Sequence, residues 1–134
     1  MSKSALGIGP ILALLLLLTS PSLCMAQTEA PAMPARGKLL FLRCAACHNI
    51  AARPEKRIGP DLQGVVGRKA GSLPGYNYST AMASTNFIWD AATLDRWLER
   101  PNDVVPGTSM AFSGMEKPED RQALIAYLAK FSAE

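Results

Sequence analysis

Cys44-Ala45-Ala46-Cys47-His48 is the stretch on which the reading of this 134-residue chain turns. Two thiols stand three residues apart, and an imidazole follows the second at once. A thioredoxin-like redox pair would sit in a βαβ setting, and no convincing strand alternation is found anywhere in the chain. A structural zinc site takes four ligands, whereas His48 is the only histidine and the one further cysteine, Cys24, lies in an apolar leader. C-x-x-C-H is also the c-type haem attachment signature. At a helix end, thiols at this spacing can each add to a vinyl group of one porphyrin. The next residue then lies under the ring with a nitrogen for the iron, and the thioethers fix the ring relative to His48 before ligation occurs. The motif alone also allows a chance match with merely buried or disulfide-bonded thiols, so its surroundings decide.

Downstream, about 30 residues from Asn49 to Tyr78 show little periodicity and four Pro and Gly punctuators near their middle. A structureless loop of that length in a compact domain normally counts against a reading. It becomes sensible if the loop wraps something large and apolar that is not polypeptide, and a haem serves. Upstream, Leu39, Leu40, Phe41 and Leu42 give a broad apolar stripe to a helix expected over 35–46. A short helical piece is expected from Ser79 to Ser84. In the third helix Asp90 is the N-cap, Leu94, Trp97 and Leu98 form the apolar face, and Pro101 stops it. The last helix opens at Pro118 with Glu119 and Asp120 at the positive end of its dipole; Leu124, Tyr127, Leu128 and Phe131 follow at three- and four-residue spacing. The expectation is an all-α domain of three main helices plus a short one, wrapped with long loops around one covalent haem.

The amino-terminal segment reads as an export signal. Lys3 supplies a positive start, Ile11 to Leu18 is an unbroken apolar run, and Cys24-Met25-Ala26 offers small residues for cleavage before Gln27. The run is too short to span a bilayer, which needs roughly 20 residues. Residues 1–26 are therefore expected to be removed, 27–34 to form a flexible Pro- and Ala-rich lead-in, and 35–134 to form the domain, located in the periplasm without a stable membrane anchor. Fourteen basic and eleven acidic residues give +3; loss of Lys3 with the leader leaves +2 and no basic run, so nothing points to nucleic acid. Export usually brings a disulfide framework, yet the mature chain keeps only Cys44 and Cys47.

The second axial ligand follows from counting. A single histidine excludes bis-histidine ligation, and methionine is the next common partner. Met33, Met82, Met110 and Met115 are available. Met110 follows the turn-rich Pro106-Gly107-Thr108-Ser109, which can aim a side chain inward without helical constraint. Methionine fills core gaps readily, so spacing alone leaves the other three open.

Together these residues resemble the class I cytochromes c of the mitochondrial and photosynthetic-bacterial type. The likeness runs from about Gly37 to Ala129. It includes Gly59-Pro60-Asp61-Leu62, Gly67-Arg68-Lys69, Trp89, Pro106-Gly107-Thr108-x-Met110-x-Phe112 and Leu124-Ile125-Ala126-Tyr127-Leu128, all in family order. The resemblance implies Met110 as distal ligand, with metal ligands His48 and Met110. It implies that the Pro60 carbonyl accepts the His48 ring N–H, the usual way a ligand's tautomer is fixed. It also implies that Arg68, Tyr78 and Trp89, with Thr108 in the same region, hydrogen-bond a buried haem propionate, which a low-dielectric pocket requires. Gly37 and Phe41 would pack on Leu124 and Tyr127.

The chain departs from that pattern in places. Trp97 stands where a tyrosine is usual near the methionine side, and tryptophan has a donor but no acceptor. Met82 replaces an asparagine of a polar network. Arg43 and Arg57 keep charge near the haem edge, but Asn102, Asp103, Ser109 and Glu116 fall at lysine positions. Charge complementarity sets partner choice and on-rate, so the partner site is expected to be less acidic than a mitochondrial-type oxidase. The function implied is one-electron transfer by a monomer between transient redox donor and acceptor proteins, soluble or membrane-bound, with no catalysis of its own. Two rivals stay open at this point: a dedicated electron-accepting subunit of a periplasmic dehydrogenase, and a haem enzyme or gas sensor with a labile sixth ligand. Met110 in a matching segment argues against the latter.

Overall fold

A computed structural model describes residues 32–51, 53 and 55–131. The expected leader and most of the lead-in fall outside them. Five helices follow in order: α1 (Met33–Cys44), α2 (Thr80–Ala83), α3 (Ala91–Glu99), α4 (Pro101–Val104) and α5 (Pro118–Ala129). Among the described residues the only β pairing is an isolated antiparallel bridge between Lys69 and Ile88. No described helix is long and apolar enough to cross a membrane.

Helix α1 begins two residues before the expected Ala35, because Pro34 sits in its first turn, where a missing N–H costs nothing. It packs chiefly on α5. The approach is close at Gly37, where a Cβ would overlap the Ala123 carbonyl oxygen and stand 2.6 Å from the Tyr127 Cβ. Phe41 meets Tyr127 with ring centroids 5.6 Å apart, and Arg36 pairs with Asp120 at the rim. Leu124 and Leu128 carry the buried face of α5.

Helix α3 is capped as its sequence indicates, with Asp90 Oδ1 accepting the Thr93 N–H at 2.7 Å. Pro101 ends it and also opens α4, a second short helix that the sequence did not signal. The Thr93 N–H holds the Asp90 carboxyl below the usual carboxylate range. A pKa depressed on folding contributes stability above the unfolded value and loses it as pH falls through the folded one. Asp90→Asn keeps an acceptor that cannot titrate. Its thermal midpoint should therefore fall less steeply below about pH 4 than that of the unsubstituted protein. Equal acid slopes would show that this carboxylate plays no part.

The long segment after α1 is irregular but internally bonded. Asn49, buried, donates to the Glu55 carbonyl at 2.9 Å, and its own carbonyl accepts the Leu62 N–H at 2.8 Å. Tyr76 Oη donates to the Ile58 carbonyl at 2.9 Å, and the Gly64 N–H reaches the Phe131 carbonyl beyond α5. Loops can be this long only when their backbone groups find such partners. Few large side chains are fully buried, Leu124 and Pro101 alone among the described residues. Around them Phe41, Trp89, Leu94, Trp97, Leu98 and Leu128 belong to one buried cluster that joins α1, α3 and α5.

Candidate functional site

The site grows from the carboxyl end of α1. The N–H groups of Cys47 and His48 both turn back to the Cys44 carbonyl, at 3.0 and 2.9 Å, so the motif's three functional side chains leave one tight turn. Both thiols are free, Cys44 half-buried and Cys47 exposed. Burial pushes the Cys44 thiol up, partly opposed by the neighbouring Arg43.

His48 Nδ1 lies 2.7 Å from the Pro60 carbonyl oxygen. Burial lowers its pKa, with the Pro60 contact and Asp61 pulling the other way. A carbonyl can only accept, so Nδ1 carries the proton and Nε2 of the neutral ring keeps its lone pair for a metal. Gly59 makes the slot for that ring: a Cβ there would stand 2.7 Å from Nδ1, and the Gly59 N–H bonds the Cys47 carbonyl at 2.8 Å. The Asp61 Oδ1 is buried with no hydrogen-bond partner.

Arg68 and Trp89 are brought together by the isolated bridge. The Trp89 N–H donates to the Arg68 carbonyl and the Gly67 N–H to the Trp89 carbonyl, each at 2.9 Å. The Arg68 guanidinium donates to the carbonyls of Gln63 and Asp61, at 3.0 and 2.8 Å. Tyr78 is half-buried, and burial raises its hydroxyl pKa. Trp97, on α3, meets Trp89 edge-on with centroids 5.2 Å apart.

Met110 is half-buried on the segment between α4 and α5, where its N–H donates to Thr108 Oγ1 at 3.3 Å. The other methionines sit differently. Met82 and Met115 are buried in the core, and Met33 is exposed at the far end of α1, roughly 16 Å along the helix axis from Cys44 at 1.5 Å per residue. Arg43 stacks over the Phe112 ring, 5.9 Å from its centroid, tying the motif's helix to the Met110 segment. That contact joins residues distant in sequence and had no local signal. The role of Gly59 was readable only as a glycine before a proline.

The donor set fits a covalently held haem. Two cysteines on one tight turn, a neutral imidazole bonded to the backbone through Nδ1 alone, and a methionine thioether on the segment joined to that turn by Arg43 and Phe112 are groups that would hold such a cofactor.

Comparisons with known proteins agree. The Cytochrome c family model matches residues 34–132. A cytochrome c2 from Rhodomicrobium vannielii is 46% identical over 104 residues, covering 78% of this chain and 83% of its own. A cytochrome c from Arabidopsis thaliana is 46% identical over 94 residues, covering 69% and 84%. The solved structure of cytochrome cH from Methylobacterium extorquens is similar with a TM-score of 0.68 at 42% identity, covering 72% of this chain and 97% of that one.

Proposed function

Because the chain belongs to the cytochrome c family, we propose that it is a periplasmic one-electron carrier whose haem c, attached through Cys44 and Cys47, is ligated by His48 and Met110. The observation that carries this reading is the turn at the end of α1, where two cysteines outside any disulfide precede an imidazole oriented by Pro60 at 2.7 Å. When bound, the haem supplies a one-electron ferric–ferrous couple.

The chain's own residues do the rest. Pro60 and Gly59 hold the His48 ring in one orientation, so ligation geometry changes little between oxidation states. Thr108 restrains the Met110 backbone. Arg68, Tyr78 and Trp89 offer N–H and O–H donors for the haem carboxylates, while Trp89 and Trp97 keep the interior apolar. Cys47 and Arg43, both exposed, mark the edge at which electrons enter and leave. Exposed charge on the chain is mixed, Arg43 and Arg57 against Asp103 and Glu116, so docking is weakly salt-dependent and small, as for other transient redox encounters. Donor and acceptor are other redox proteins, and the carrier is a monomer.

Produced in a host able to attach haem, the mature protein should keep one haem after denaturation and show a far-red ferric sulfur–iron charge-transfer band. Its ferrous form should bind carbon monoxide poorly. Cys47→Ala should leave at most one thioether. A colourless yet folded product with both thiols free would end the proposal.

A further inference from the structure

Arg121 is the only charged residue buried among the described residues, 5% exposed, and neither haem attachment nor ligation employs it. It lies on the first turn of α5, at the same three- and four-residue spacing as Leu124 and Leu128. Four of its five N–H donors are used. Nε and Nη2 grip the two carboxylate oxygens of Asp95 on α3, at 2.9 and 3.2 Å. Nη1 donates to the carbonyls of Met115 and Glu116, both at 2.9 Å.

Those carbonyls end the segment that carries Met110. Beside them the Met115 N–H donates to the Leu98 carbonyl at 2.8 Å. Gly114, at φ +105°, presses so close to the end of α3 that a Cβ would overlap the Glu99 carbonyl oxygen. The chain from Leu98 through α4 and Met110 to Met115 is therefore one loop whose two ends meet, closed by backbone and by a single guanidinium. Met110 lies five residues from the closure.

We propose that Arg121, anchored by Asp95, is a positioning residue for Met110: it clasps the end of the loop and so governs how readily the thioether leaves the iron. This rests on Met110 being the distal ligand. A loop opens locally at a rate of occurrence set by the bonds that close it, independently of the global fold. An external ligand that competes with Met110 reads that open population directly.

The test is an imidazole titration of the ferric holoprotein, followed by loss of the far-red sulfur–iron band. Arg121→Met removes both carbonyl contacts and should bind imidazole at least about tenfold more tightly than the unsubstituted protein; Asp95→Asn loosens only the anchor and should bind it more tightly by a smaller factor. Arg121→Lys, which keeps the charge but not the fork, should fall between. Asp95→Asn leaves the buried guanidinium and both its carbonyl contacts in place, so it serves if Arg121→Met does not fold. Arg36→Gln breaks the Arg36–Asp120 pair between α1 and α5, away from the loop; it should lower the thermal midpoint without changing imidazole affinity. Clasp variants that bind imidazole no better than Arg36→Gln would overturn the proposal alone. Absence of the band in the unsubstituted protein would overturn the ligation reading and the clasp with it.

Discussion

Met110→Ala is expected to convert a low-spin haem into a high-spin one that takes up carbon monoxide and cyanide. The substitution removes the thioether but leaves the backbone bond to Thr108 intact, so the loop persists without its ligand. No second imidazole can replace it, since His48 is the only histidine and the proposed ligation already uses it. Met82 and Met115 are 7% and 6% exposed and packed in the core. The sixth position therefore opens to solvent and added ligands, and the reduction potential falls with the loss of Met/His ligation. Absorbance spectra before and after carbon monoxide check this in one experiment. An unchanged low-spin spectrum would move the ligand to Met82 or Met115.

Gly37→Ala is the second large effect, and here two principles predict opposite signs. In an exposed helix interior the change stabilises by about 0.5–1 kcal/mol, because glycine loses more backbone freedom on folding. At this position the new Cβ would stand 2.6 Å from the Tyr127 Cβ and overlap the Ala123 carbonyl. Backbone cannot swing aside as a side chain can, so α1 must lift from α5, at a cost of about 3 kcal/mol. The packing term is the larger. A drop on the order of 10–20 °C in thermal midpoint is expected for a domain of this size. Thermal unfolding followed by helical circular dichroism decides it, and a midpoint equal to or above that of the unsubstituted protein would mean the helices are not closely packed there.

What could be read from the sequence was what is encoded locally. The attachment motif is contiguous because its chemistry demands contiguity. Asp90 and Pro118 announce helix starts through capping and a missing N–H, and α3 and α5 begin where those residues say. Pro101 was legible only as a stop, although a proline suits the first position of a new helix equally well; four residues of α4 carry no periodicity to reveal it. The apolar stripe of α1 points to 35–46, yet the helix runs Met33–Cys44, since a stripe locates a helix better than its ends. Arg121 carries no local sign of burial, because a charge on a helix ordinarily faces water. Its spacing with Leu124 and Leu128 was visible, but the carboxylate and carbonyls that make burial tolerable come from α3 and a loop. The stacking of Arg43 on Phe112 is likewise a product of tertiary folding.

The pairing of α1 with α5 also has a temporal side. Before α5 docks, α1 has no partner, and an isolated 12-residue helix is marginal in water. Cys44 is then hydrated and keeps an ordinary thiol acidity, whereas closure of the fold buries it and drives its pKa up, thinning the thiolate that does the bonding. Thioether chemistry is thus favoured before the fold closes, and closure afterwards shields the finished bond.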